Sequence, residues 1–335
     1  MKQMKAVSLA VGLGAVSLAL TACGAGAGGA GAGTTMRLAL NQTEDHPSYV
    51  ALDNFGERLS EGTDDRWAVD VFPNETLGAQ EEAIQLVSDG TVDMAIVSGT
   101  QLENLNEDFV VFNLPTVFDS IEHQMSVIND EAIVGDLYSS LEDQKITVLG
   151  GFTQGTRSIY SSKGPVETPA DLEGQKIRVQ ESDLHIDMVN AMGGSATPLA
   201  YGEVYTALQS GVLDGAENNE VSYFTQKHFE VAKDFSYTNH LIGLDYLVVN
   251  TDKLAEMSEE DRATFDEEWD AAMEEHTKLW GEATEQAIAD AEAGGATFHE
   301  VDEEAFGAVL EPLVDKYVTS ESARALYDET RAAAK

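Results

Sequence analysis

In a chain with 60 acidic residues against 19 basic ones and a formal net charge of -41, an arginine aimed inward is an obvious device for holding an anion. In KIRVQES, strand alternation puts Ile177 and Val179 on one face and Lys176 and Arg178 on the other. A guanidinium at Arg178 can grip a carboxylate through two parallel hydrogen bonds, which an ammonium cannot copy. The competing reading is an ordinary salt bridge to one of the many acidic neighbours. Arg157, in GGFTQGTRSIY, follows a buried strand and a Gly/Thr turn, the place where α/β proteins carry ligand loops. Ser98 lies five residues after Asp93 and Asn218 four after Asp214, so two further strands exit into hydrogen-bonding side chains. These suit a hydroxylated ligand, or else form turns.

Covalent chemistry finds no support in the motifs. There is no GxSxG elbow, and the seven histidines (His46, His123, His185, His228, His240, His276 and His299) are scattered without HExxH or paired metal spacing. They read as structural or surface residues. Carboxylate pairs of the glycosidase kind are not identifiable among so many acids. No run has calcium-loop spacing, so neither a metal nor a cofactor is expected. The acidic balance repels nucleic acid and anionic lipid, and its carboxylates cluster on solvent faces, as in EEDRATFDEEWDAAMEE.

The elements that must position these residues occur twice. LVSDGTVDMA, with Gly90 and Asp93, and ALQSGVLDGA, with Gly211 and Asp214, lie 121 residues apart. Each reads as a helix end, a glycine stop and a short buried strand. TLGAQE and PLAYGE extend the match upstream. Strands are expected at Met36–Leu40, Trp67–Phe72, Val92–Val97, Ile146–Leu149, Lys176–Val179 and Tyr246–Asn250. Helices are expected at Pro47–Ser60, Glu81–Ser88, Ile121–Asn129, Ala132–Glu142, Asp183–Met192 and Glu203–Gln209. The alternation predicts two α/β lobes with parallel strands, helices on both faces and a ligand cleft between. The turn-rich SSKGPVETPADLEG is a place for the chain to settle into the second lobe. From Ser258, which with Asp261 approximates a capping box, a helical pattern continues to Gly294 and Gly295. At 1.5 Å per residue such a helix is about 50 Å long and spans both lobes or bends between them. Two more helices are expected near Glu303–Val318 and Glu321–Ala333.

At the other end, Lys2 and Lys5 precede an apolar run, Ala6 to Leu20, that ends in LTAC. This is an export signal, too short to favour a membrane span, with the only cysteine placed as in a lipobox. Residues 1–22 are therefore expected to be removed, Cys23 to carry a lipid anchor, and 23–35 to form a Gly/Ala tether. With no second cysteine, no disulfide staples the fold.

The runs LGAQEEAIQLVSDGTVDMAIVS, FNLPTVF, GTRSIYSSKGPVETPADLEGQKIRV, ATPLAYGEVYTALQSGVLDGAENN and TNHLIGLDYLVVN resemble the DctP-type solute-binding proteins of TRAP transporters. The resemblance implies a two-lobed periplasmic-binding-protein-like fold with crossing strands and a long helix. Its first domain would take 36–154 and 244–284, and its second 155–243 and 285–335. It implies that Arg178 clamps the ligand carboxylate, with Arg157 nearby, Asn218 bonded to the same group and Tyr201 against the ligand body. Asn41, Gln42, Gln80 and Ser98 would line the first domain. The sialic-acid-binding branch carries acids where Gln80 and Ser98 stand, which argues against sialic acid. NQTEDHPSY looks more like members that bind sugar acids, so a uronate or aldonate is preferred to a C4 dicarboxylate. The implied role is extracytoplasmic capture and delivery to TRAP membrane permease subunits, without chemistry. The alternatives are a secreted lipoprotein lyase or hydrolase acting on sugar acids, and a sensor lobe that reports the ligand to a receptor.

Overall fold

Two strands far longer than the rest organise the sheet. The computed structural model describes residues 33–334. The expected signal, the lipidated Cys23 and nearly all of the tether lie outside the described residues. The strands are β1 (Thr34–Ala39), β2 (Trp67–Phe72), β3 (Met94–Ser98), β4 (Ile146–Ser161), β5 (Lys176–Val179), β6 (Ser195–Pro198), β7 (Gly215–Asn218), β8 (Asp234–Asn250) and β9 (Thr297–His299). Their order is β2-β1-β3-β8-β4-β7-β5-β6, with β9 beside β8. One half holds β1–β3 and the other β5–β7, while β4 and β8 run through both.

The expectation of parallel strands holds within each half but not across the molecule. β1 is parallel to β2 and β3, and β5 to β6 and β7. β4 carries the chain out and β8 carries it back, so β4 is antiparallel to both β8 and β7, and β8 to β3. The crossing into the second half therefore happens inside β4. SSKGPVETPADLEG instead turns the chain between β4 and β5, closed by the Thr168/Asp171 capping box.

The duplicated motif has a duplicated job. Asp93 accepts from the Arg37 N–H of β1 at 2.7 Å, and Asp214 accepts from the Lys176 N–H of β5 at 2.9 Å. Both glycines before them turn the chain with positive φ, 70° at Gly90 and 73° at Gly211. Each copy thus pins its neighbouring parallel strand, at the middle of β1 and the start of β5, and sends its own strand on to Ser98 or Asn218.

Where β4 and β8 cross, the ladder shifts register between Val148 and Gly151, Thr153 and Thr156, and Arg157 and Ile159. Such bulges bend a strand. The long helix, Glu259–Ala293, lies along this bend. Its cap is Ser258, whose side chain accepts the Asp261 N–H at 3.1 Å. Phe265 and Trp269 pack on Phe55 of the first half, at ring distances of 5.2 and 5.8 Å. Trp280 and Ala287 pack with Val221 of the second. Between them Trp269 Nε1 donates to the Leu149 carbonyl, and His276 stacks on Phe152 at 4.1 Å.

The C-terminal segment departs from expectation twice. The helix expected over 303–318 is two helices, Glu303–Leu310 and Pro312–Tyr317, because Pro312 has no N–H to continue the first. Nor does the whole of 285–335 return to the second half. Helix Glu321–Ala333 crosses back to the first, where Arg331 pairs with Asp119 at 2.6 Å and the Thr330 carbonyl meets His123 Nε2 at 2.8 Å. Its apolar face, with Ala323 and Leu326, is buried in the main hydrophobic core.

Gly155 has φ of 58°, and a Cβ there would lie 2.5 Å from Trp280 Nε1. Gly155→Ala should therefore destabilise the protein by about 3 kcal/mol, left-handed strain plus overpacking. Gly211→Ala, at a similar φ but in open space, should cost only about 1 kcal/mol. Urea denaturation compares them, and equal losses would remove the helix-on-bend contact from this account.

Candidate functional site

Parallel strands in α/β sheets leave their ligand sites beyond their carboxyl ends. Asn41 and Gln42 follow β1, Ser98 ends β3, and Gln180 follows β5, in which Arg178 stands; Asn218 ends β7. Arg157 comes from β4, Tyr201 from a short 3-10 turn, and Gln80 from the first turn of helix Gln80–Ser88. All eight residues expected at the site line one small, tightly closed cavity of about 20 Å³, together with Gln154, Gln180 and Asp245. That is room for about one water, so a solute enters only when the halves part.

The two arginines have different employments. Arg157 donates through Nε to Glu217 Oε2 at 2.6 Å, through Nη1 to Asn218 Oδ1 at 2.8 Å, and through Nη2 to Glu217 Oε1 at 2.7 Å and the Glu217 carbonyl at 2.9 Å. Four of its donor directions are used inside the protein. Burial alone would raise the Glu217 carboxyl, but Arg157, with His185 and His240 at 3.6 and 3.4 Å, holds it well below the usual carboxylate range. The ordinary salt bridge weighed for Arg178 is therefore found at Arg157.

Among the described residues Arg178 makes one side-chain hydrogen bond, Nε to the Leu199 carbonyl at 2.8 Å, and lies over the Tyr201 ring at 5.8 Å. Among the described residues no carboxylate pairs with it. Only 4% of the residue is exposed, and burial draws its pKa below the ordinary value for arginine. A buried guanidinium with its outer nitrogens uncommitted is a costly arrangement unless an anion completes it.

The rest of the wall is neutral and polar. Gln80 Oε1 accepts the Ser98 N–H at 2.6 Å, joining two of the expected residues. Asn41 Oδ1 and Gln154 Nε2 are buried without a partner among the described residues, an acceptor and a donor side by side with the cavity. Hydroxyls, which both give and receive, satisfy such a mixture. Asp245 was not anticipated. It is a lone acid in an apolar strand, LDYLVVN, and burial pushes its carboxyl up to about 7, with Arg157 pulling the other way. Glu217 was missed too, although it adjoins Asn218. Among the described residues no three His, Cys or acidic side chains are grouped to hold a metal ion.

Among the described residues four hydrogen bonds join the halves around the cavity. Tyr201 Oη donates to Gln42 Oε1 at 3.3 Å, Thr100 Oγ1 to Gln180 Oε1 at 3.2 Å, Ser182 Oγ to Glu103 Oε2 at 2.7 Å, and the Gly202 N–H to Glu75 Oε2 at 3.2 Å. The halves are closed over the site, and its floor and walls come from both.

The same fold exists in known proteins. The chain matches the DctP family model, bacterial extracellular solute-binding protein family 7, over residues 38–321. A solute-binding protein of Chromohalobacter salexigens is 38% identical, over 82% of this chain and 81% of its own length. Among solved structures, a TRAP periplasmic solute-binding protein of Anaerococcus prevotii with bound D-glucuronate superposes with a TM-score of 0.87 and 35% identity, covering 90% of this chain and 98% of that one. One from Xanthobacter autotrophicus with bound β-D-galacturonate gives 0.85 and 28%, over 89% of this chain and 99% of that one. With its two-lobed sheet, closed polar cavity and these likenesses, the chain belongs to the DctP family of TRAP solute-binding proteins.

Proposed function

We propose that this protein captures a hexuronate, D-glucuronate or D-galacturonate, outside the cytoplasm, by clamping its carboxylate on Arg178. The uncommitted guanidinium in a closed, hydroxyl-compatible cavity carries the reading. The uronates bound by proteins of similar structure support it. Asn218, Tyr201 and the remaining donor direction of Arg157 complete the carboxylate end; Asn41, Gln42, Gln80 and Ser98 meet the hydroxyls. The lobes divide near residues 154 and 244, at the bend of β4 and β8, and close by hinging there. Closure excludes water and strengthens each charged hydrogen bond. The solute is then handed unchanged to TRAP permease subunits, and Cys23 anchors the carrier by lipid at the membrane surface.

Incubation with D-glucuronate and D-galacturonate should give one-to-one binding by calorimetry, with the solute recovered intact. A released product would favour a lyase or hydrolase. Arg178→Ala should lower affinity by at least about 3 kcal/mol, and Arg178→Lys should not restore it, because a single ammonium cannot make the paired contact. Near wild-type affinity in either variant rejects the clamp.

Arg157→Met should behave in the opposite way, losing about 3–5 kcal/mol of folding stability because Glu217 is left buried and unpaired. Arg178→Ala, which breaks no ion pair, should change unliganded stability by under about 1 kcal/mol. Denaturation curves that rank the two the other way would exchange the roles of the arginines.

A further inference from the structure

Among the described residues, Asp245 is the one charged side chain lining the cavity that the carboxylate clamp leaves without a task. It stands on β8, opposite Ser98 of β3 and Phe152 of β4, and only 4% of it is exposed. Among the described residues its carboxyl has neither a hydrogen-bond nor a salt-bridge partner. β5, which carries Arg178, is three strands away across β4 and β7, so the two backbones are separated by about 14 Å or more. The charged and titratable groups facing Asp245 are Arg157 from β4 and Tyr201 from the second half. Arg157 is already neutralised by Glu217. Among the described residues the cavity therefore has its free cation on β5 and a carboxyl three strands away on β8, with Arg157 and Tyr201 reaching toward both.

We propose that Asp245 sets solute specificity, accepting a hydrogen bond from the hydroxylated end of a sugar monoacid and excluding solutes that carry a second carboxylate. This rests on the hexuronate reading above. A monoacid puts its charge on Arg178 and offers hydroxyls, which donate, to Asp245. A diacid of the same length has no cation for its far end and brings like charge against Asp245 inside a closed cavity, where such repulsion is severe.

The probe pair is D-glucuronate and D-glucarate, whose remote ends are a ring hemiacetal and a second carboxylate; the change from ring to open chain is common to wild type and Asp245→Asn, so the difference in discrimination between the two proteins reads the carboxylate alone. Titration calorimetry on the wild type at pH 8 should show D-glucuronate bound at least about 100-fold more tightly. Burial holds the Asp245 carboxyl near 7, so it is anionic above that pH and neutral below; discrimination should shrink at least fivefold by pH 6. The ratio of affinities is the readout, because Glu103, also pushed up to about 7 by burial between the halves, bears on closure around either solute alike. Asp245→Asn should weaken D-glucuronate about 10- to 100-fold, lose at least tenfold of the discrimination, and flatten its pH dependence.

Equal binding of both solutes by the wild type, or unchanged discrimination and pH slope in Asp245→Asn, overturns the assignment while leaving the uronate reading standing. Failure of the wild type to bind any sugar monoacid overturns that reading and this one together. Should Asp245→Asn not fold, the wild-type pH profile alone decides.

Discussion

The buried ion pair between Arg157 and Glu217 is the constraint on which the rest of the site depends. It joins β4 to β7, and His185 and His240 close around the same carboxylate. A pair so deep adds little net stability, since the loss of water offsets most of the attraction. Its value is positional. It orients the Asn218 amide, fixes the second half of β4 against β7, and occupies a carboxylate whose charge also reaches Arg178. An anion-binding site inside a protein with 60 acidic residues needs such protection.

Closure and recognition share their parts. Tyr201 touches Gln42 across the gap and also presents its ring to Arg178. Gln180 follows the strand of Arg178 and bonds Thr100 of the other half. Filling the cavity and shutting it are therefore coupled by contact, and no separate lid is needed. The bend that permits this lies where β4 loses register against β8, and the aromatic ridge of the long helix, Trp269, His276 and Trp280, is seated on it.

Much of this was legible in the chain. KIRV is short, strongly alternating and bounded by glycine and polar residues, so both the strand and the inward arginine could be read. The two Gly–Asp repeats revealed the duplicated architecture because each performs the same local task. What escaped depends on distance or on mixed environments. Glu217 meets Arg157 across 60 residues of sequence, and nothing local advertises the pair. β4 and β8 were read only in their apolar ends, because their middles carry Gly150, Gly151, Gly155, Asn239 and His240, residues demanded by the bend and by the site rather than by strand propensity. Asp245 was hidden for the converse reason, a single polar group inside a strand that otherwise reads as core. The return of the last helix to the first half was invisible because its amphipathic pattern says only that one face is covered, not by what.

The twin aspartate staples carry an implication for how the molecule can move. Asp93 fastens β1 and Asp214 fastens β5, so each parallel trio is locked by its own copy of the motif and borrows nothing for that purpose from its counterpart. Mechanical freedom is thereby confined to the few spans that cross the waist, namely two ribbons, one rod and the C-terminal strap. A passenger whose two ends are read by opposite trios acts as a bolt through that waist, and its length becomes as much a criterion for admission as its chemistry.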